Sequence, residues 1–343
     1  MSRRQPVHVV YGGAHLFRPA IAQKLGGIAL AALDRWTPST GELDCSEAVL
    51  QRVREKLTRE PVEDYRIDFE DGYGVHDDEE EDRHVAAAAT AVREGAAAGT
   101  LPPFLGIRIR PLNGPTRERS LRTLRLFLQT VSYRLPAQFR VTLPKVERPE
   151  EVAQLAVELR GRAWIEALVE TPPILSRLRE LLDAAGGKLL SVHLGPYDLL
   201  ASLGVSAPFQ RLHHSACTAA RMQMLTAFAG TDVDVADGPT KILPVGDLRE
   251  PVIAAWQQHR DEILLSLAEG FYQGWDLHPA QLVTRYATLY QFYGLHAPGM
   301  QARLANFEAG AERAVALQRQ FDDASTVRGL RDFLRRAKDC GAL

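Results

Sequence analysis

The sequence predicts an α/β protein, a (β/α)8 TIM barrel with extra C-terminal helices. Short runs rich in Val, Ile, Leu and aromatics alternate with longer segments of helical period, and eight strand-like runs can be counted. Eight such units fit a closed parallel barrel better than an open sheet. The polar residues supply a third observation. Strand after strand begins apolar and ends in a titratable or polar group, the pattern expected where strand ends meet at one catalytic face.

The first run, VHVVYG, follows the basic start MSRRQP; its apolar stretch is too short for a signal-peptide core and reads as a strand. DYRIDFED comes second and closes on Asp68, Glu70 and Asp71. The acidic run at 77–82 then opens an alanine-rich helix, where negative charge suits the helix dipole. FLGIRIR closes on Arg108 and Arg110, and the arginine-studded helix RSLRTLRLFLQTV follows it. FRVTLPKVE closes on Lys145 and Glu147, and Pro149-Glu150-Glu151 reads as a first helical turn, where proline costs no hydrogen bond. AWIEALVET ends in Glu170 before a second such turn at Pro172-Pro173. LLSVHLGPYD ends in Asp198, TDVDVADGP carries Asp237, and GFYQGWDLHP reaches His278. The barrel domain is read as residues 1–295. Residues 296–343, helical by period and rich in Arg, Ala and Leu, form a C-terminal helical extension.

Composition narrows the function. The chain has 41 Lys+Arg against 43 Asp+Glu, a formal net charge of -2, which argues against a nucleic-acid partner. Three cysteines without a CxxC pair fit a reducing compartment, so a cytoplasmic location is expected. No stretch approaches the ~18 consecutive apolar residues of a membrane span. No GxxxxGK[ST] phosphate loop is present, which weakens a phosphoryl-transfer reading.

The strand-end residues suggest a chemistry. Converging carboxylates without a cysteine partner favour a hard cation, Mg²⁺ or Mn²⁺, over zinc. Such a cation polarises a carbonyl and stabilises an enolate, the hard part of making or breaking a bond beside a carbonyl. Arg108 offers a bidentate partner for a carboxylate or oxyanion. Of Arg108 and Arg110, one is expected in the barrel mouth and the other toward the helices. Lys145 could form a Schiff base if burial lowered its pKa, or stand as an ion pair with Glu147. His15, in YGGAHLF, is a candidate general base or substrate contact, and His278 is a candidate substrate contact or loop brace.

The ordered succession DFEDGYG, GIRIR, LPKVERPEEV, VETPPIL, HLGPYDLLASLG and GWDLHPAQL, over about residues 65–290, resembles the citrate lyase beta-subunit and HpcH/HpaI aldolase superfamily. It is closest to a subgroup marked by YGGAHLF, HLGPYD and GWDLHPAQL. The resemblance implies a metal-dependent carbon–carbon lyase. Glu170 and Asp198 would hold the metal, Arg108 would bind a substrate carboxylate or oxygen, and Glu70 and Asp71, with Asp68, would support metal-bound water. It also implies a trimer or hexamer in which C-terminal helices pack on a neighbour. Two departures stand out: Pro196-Tyr197-Asp198-Leu199 replaces Ala-Glu-Asp-Leu, and Arg108-Ile109-Arg110 replaces Arg-Val-Asn. Both are expected to make the site more positive and to favour a small free 2-oxo acid or dicarboxylate. A citryl- or malyl-CoA lyase, a Schiff-base aldolase and a non-catalytic ligand-binding subunit are the alternatives.

Overall fold

The computed structural model describes residues 3–132, 134–308 and 324–343. All eight predicted runs form strands: β1 (His8–Gly13), β2 (Asp64–Asp68), β3 (Phe104–Arg108), β4 (Arg140–Leu143), β5 (Trp164–Val169), β6 (Leu189–Leu194), β7 (Asp234–Ala236) and β8 (Gly274–Asp276). They pair in parallel in the order β7-β6-β5-β4-β3-β2-β1-β8. The barrel closes at a short seam, where Asp237 N donates to Gln273 O at 2.8 Å and Pro239 bridges Trp275. Every strand but β1 stops short of the run that predicts it. The titratable residues therefore lie mostly on the loops just past the strand ends.

Alternation divides each strand. Ile67, Ile107, Val141, Ile165 and Val192 are fully buried and join the core shared with the surrounding helices. The lumen, in contrast, is polar where barrels usually carry branched apolar side chains. Arg66 of β2 reaches across to Glu166 of β5 at 2.7 Å and also bonds Thr142 and Asp64. Glu166 accepts further bonds from Thr142 and Ser191, both 2.7 Å, and lies 2.9 Å from His193 Nε2. Burial opposes charge on Glu166, but Arg66 and His193 outweigh it and hold the carboxyl well below its usual range.

The helices start where capping chemistry places them. Asp77 accepts from Glu80 N at 2.7 Å and caps the helix Asp78–Ala98, whose first turn carries four acids. Pro149 and Pro172 open their helices as expected. The helix Gln281–Glu308 runs past residue 296 and packs against the helix Ala324–Asp339. That last helix touches the entry side of the barrel: Arg335 donates to Arg3 O, and Arg336 bonds Gln5. Residues 309–323 of the expected extension lie outside the described residues. No helix among the described residues is long and apolar enough to cross a membrane.

Candidate active site

At the opposite end of the barrel, the loops after β2, β3, β4, β5 and β6 bring acids and bases together. Asp68 ends β2, and its carboxylate accepts from the backbone N–H of Glu70 (3.0 Å) and Gly72 (2.8 Å), which curls the loop over the mouth. Arg108, at the end of β3, donates from Nε and Nη2 to the two Asp68 oxygens at 2.7 and 2.5 Å. Its Nη1 faces Glu70 at 3.0 Å and Asp71 at 3.8 Å. The guanidinium also stands 4.8 Å from the Tyr11 ring centre and 5.6 Å from that of Trp275, so its plane is fixed on several sides.

Lys145 ties the second half of the cluster to the first. Its backbone is left-handed, with φ 51°, an unusual state for a side chain other than glycine. In that turn its N–H donates to Glu170 Oε1 at 2.6 Å, while Nζ pairs with Glu70 and lies 3.4 Å from Asp71. The ion-pair partner is thus Glu70. Glu147, two residues on, is exposed. Burial alone would lower the Lys145 pKa, but the Glu70 carboxylate outweighs it and holds the amine above the usual lysine range.

Glu170 follows β5 directly and is 2% exposed. Gly195 N donates to Val169 O at 3.0 Å, which seats the glycine against Glu170. The helix Pro196–Ser202 then starts and carries Asp198 in its first turn. Burial, reinforced by the Asp198 carboxylate, pushes the Glu170 carboxyl up to about 8. Two carboxyls in mutual repulsion, with the cavity wall pared to a glycine beside one of them, suit a hard divalent cation. Among the described residues, the cations paired with Asp68, Glu70 and Asp71 are Arg108 and Lys145, and Glu170 and Asp198 add two further acids. The donor set and the excess of negative charge both fit Mg²⁺ or Mn²⁺ held by Glu170 and Asp198.

The carboxyls of Glu70 and Asp71 separate in strength. Burial and Asp71 raise Glu70, whereas for Asp71 burial is outweighed by Arg108 and Lys145, which lower it.

Other expected residues go elsewhere. Arg110 pairs with Glu81 at 2.6 Å, on the helix Asp78–Ala98, and so brings no free charge to the mouth. Residues two apart share a strand face, so alternation does not separate Arg108 from Arg110. The end of β3 at Arg108 does. Tyr197 reaches over to donate to Pro239 O at 2.9 Å, bracing the β7 loop. His278 Nδ1 accepts from Ala280 N at 3.1 Å, a turn contact ahead of the last barrel helix. His15 lies against the rings of Tyr73, His76 and His84. Trp275 is a residue that the pattern of titratable strand ends could not reveal. Its ring centre lies 4.2 Å from that of Tyr11, the two planes tilted by 33°, and its buried Nε1 has no hydrogen-bond partner among the described residues.

A family model described as a domain of unknown function, DUF6986, matches residues 1–343. The chain belongs to that family. No curated protein matches it. Its fold is that of the citrate lyase beta-subunit group. A citrate lyase from Burkholderia xenovorans LB400 superposes with TM-score 0.66 at 19% identity, over 99% of this chain and 94% of that one. The CitE protein of Mycobacterium tuberculosis, in complex with magnesium, acetoacetate and coenzyme A, gives TM-score 0.59 at 20% identity, over 98% and 100%. The citrate lyase beta subunit from the same organism, complexed with oxaloacetate and magnesium, gives 0.50 at 20%, over 83% and 97%.

Proposed function

We propose that the protein is a divalent-metal-dependent carbon–carbon lyase or aldolase acting on a small 2-oxo acid or dicarboxylate. The observation that carries this reading is the buried Glu170 carboxyl, raised to about 8 beside Asp198 at the mouth of the barrel. Glu170 and Asp198 would hold Mg²⁺ or Mn²⁺. When bound, the cation would draw electron density from the substrate's carboxylate and keto oxygens and stabilise the enolate.

The chain's own groups supply the rest. Arg108, clamped by Asp68, presents its Nη1 edge to the mouth and would receive the substrate carboxylate in place of Glu70. Glu70, the weaker acid of its pair, would hold or deliver the proton at the carbon next to the carbonyl. The unpartnered Trp275 N–H would donate to a substrate oxygen. Lys145, kept charged by Glu70, would orient that carboxylate and is a poor Schiff-base nucleophile. A cytoplasmic location belongs to the same reading, and the buried, unpaired thiols of Cys45, Cys217 and Cys340 agree with a reducing compartment. So does assembly as a trimer or hexamer, to be checked by sedimentation.

Proton NMR of pyruvate in heavy water tests the chemistry. With Mg²⁺ the methyl signal should decay as protons exchange, and EDTA should stop the decay. The Glu170→Gln/Asp198→Asn variant should abolish it. Exchange that persists in EDTA would overturn the metal mechanism, and exchange unchanged in the double variant would overturn these ligands. A parallel screen of acetyl-CoA and free aldehydes as acceptors separates a thioester lyase from an aldolase.

A further inference from the structure

A second cluster of ligating side chains lies beyond the loop that carries Glu70 and Asp71. Glu80 and His84, four residues apart, share one face of the helix Asp78–Ala98, and His76, just before the helix starts, comes up against them. Each offers a ligand atom, and these atoms lie within 4.8 Å of one another. The ring centres of His76 and His84 are 5.2 Å apart. Two imidazoles bound tetrahedrally at ordinary metal–nitrogen lengths have centres roughly 5 Å apart. His15 bounds the remaining side, with its ring centre 5.8 Å from that of His76 and 5.9 Å from that of His84. One nitrogen of His15, Nδ1, is buried without a partner.

The surroundings orient the rings as outer partners of a metal do. His76 Nε2 faces Tyr73 O at 3.0 Å, which leaves Nδ1 turned to Glu80 Oε2 at 2.8 Å. His84 Nδ1 is held by the Tyr73 hydroxyl at 2.7 Å, which leaves Nε2 as its ligating atom. The Glu80 carboxylate raises the His76 pKa. Burial and the neighbouring His76 lower that of His84, which favours the neutral, ligating form.

We propose that His76, Glu80 and His84 form a second metal site, specific for a borderline transition-metal ion such as Zn²⁺ and separate from the carboxylate pair at the barrel mouth. Two imidazoles and one carboxylate suit zinc-class ions, whereas Mg²⁺ prefers oxygen. An ion there would fasten the β2 loop, which bears Glu70 and Asp71, to the helix behind it. The site does not depend on the lyase reading.

The test uses untagged protein stripped with EDTA, dialysed, and titrated with Zn²⁺ and with Co²⁺ in excess Mg²⁺. Wild type should take up one equivalent, with the visible absorption of low-coordinate Co²⁺. The Glu170→Gln/Asp198→Asn variant should bind equally well. His76→Gln and His84→Gln should each weaken binding by at least about tenfold while keeping the wild-type circular dichroism spectrum. The proposal is overturned if wild type takes up neither ion, if both histidine variants bind as wild type does, or if the double carboxylate variant abolishes uptake.

Discussion

At Gly195 an added β-carbon would stand 2.2 Å from Glu170 Oε2 and 2.5 Å from Glu170 Cβ. Real β-carbons do not tolerate such contacts, so the Glu170 carboxyl sits where it does because residue 195 has no side chain. Gly195→Ala should therefore push the carboxyl aside and slow metal-dependent pyruvate exchange about a hundredfold, the cost of an ångström-scale misplacement. The contact with Glu170 Cβ means that the backbone beside it must shift as well, so the circular dichroism spectrum of the variant is read alongside its rate. Exchange at the wild-type rate, with an unchanged circular dichroism spectrum, would show that Glu170 does not need that placement. The positions of Glu170 and Asp198 are legible in the sequence because Glu170 directly follows an apolar run and Asp198 closes the turn after one. The roles of Lys145 and Trp275 are not. Lys145 meets Glu70, 75 residues away in the chain, only through a left-handed turn, and the isolation of the Trp275 N–H emerges only when the barrel closes.

Elements explain where sequence reasoning over-reached. The runs ending in Asp71, Glu147 and Asp198 read as strands to their last residue, yet β2, β4 and β6 stop at Asp68, Leu143 and Leu194. Hydrophobic pattern marks which segments are buried, but ladder hydrogen bonds end where Pro144, Gly195 and Pro196 interrupt the extended chain. The helix Glu47–Arg59 shows a stabilising link between elements. Its Lys56 and the N-terminal Arg4 both reach Glu60 at 2.6 Å. Burial would raise the Glu60 pKa, but Arg4 and Lys56 prevail and lower it to about 2. A depressed carboxyl contributes stability that is complete above its unfolded value, near 4.5, and is lost as pH falls toward 2. Glu60→Gln should thus lower the melting temperature at pH 7, and the gap to wild type should narrow as pH drops from about 4.5 to 2. A gap independent of pH would place the effect in packing instead.

For the whole molecule, the number of strands, their order and the face that carries the acids all follow from alternation and strand-end chemistry. The charged lumen does not, because Asp64, Arg66 and Glu166 read as ordinary strand residues until the opposite wall is in place. Arg66→Met should cost about 3–5 kcal/mol in urea unfolding, because it strands Glu166 and Asp64 in the interior. A loss under about 1 kcal/mol would mean that His193 and Arg140 suffice to compensate them. The same network bears on whether the barrel can be assembled from parts. Cutting at the exposed turn of Arg160 and Gly161 separates Arg66, Asp64 and Arg140 from Glu166, Ser191 and His193. Each fragment would hold charges whose partners lie on the other, beside an unpaired sheet edge. Produced singly, fragments 1–160 and 161–343 should be insoluble or unfolded. Produced together, they should complement one another and restore a single cooperative melt, so that the ion network acts as the lock between two halves of one barrel.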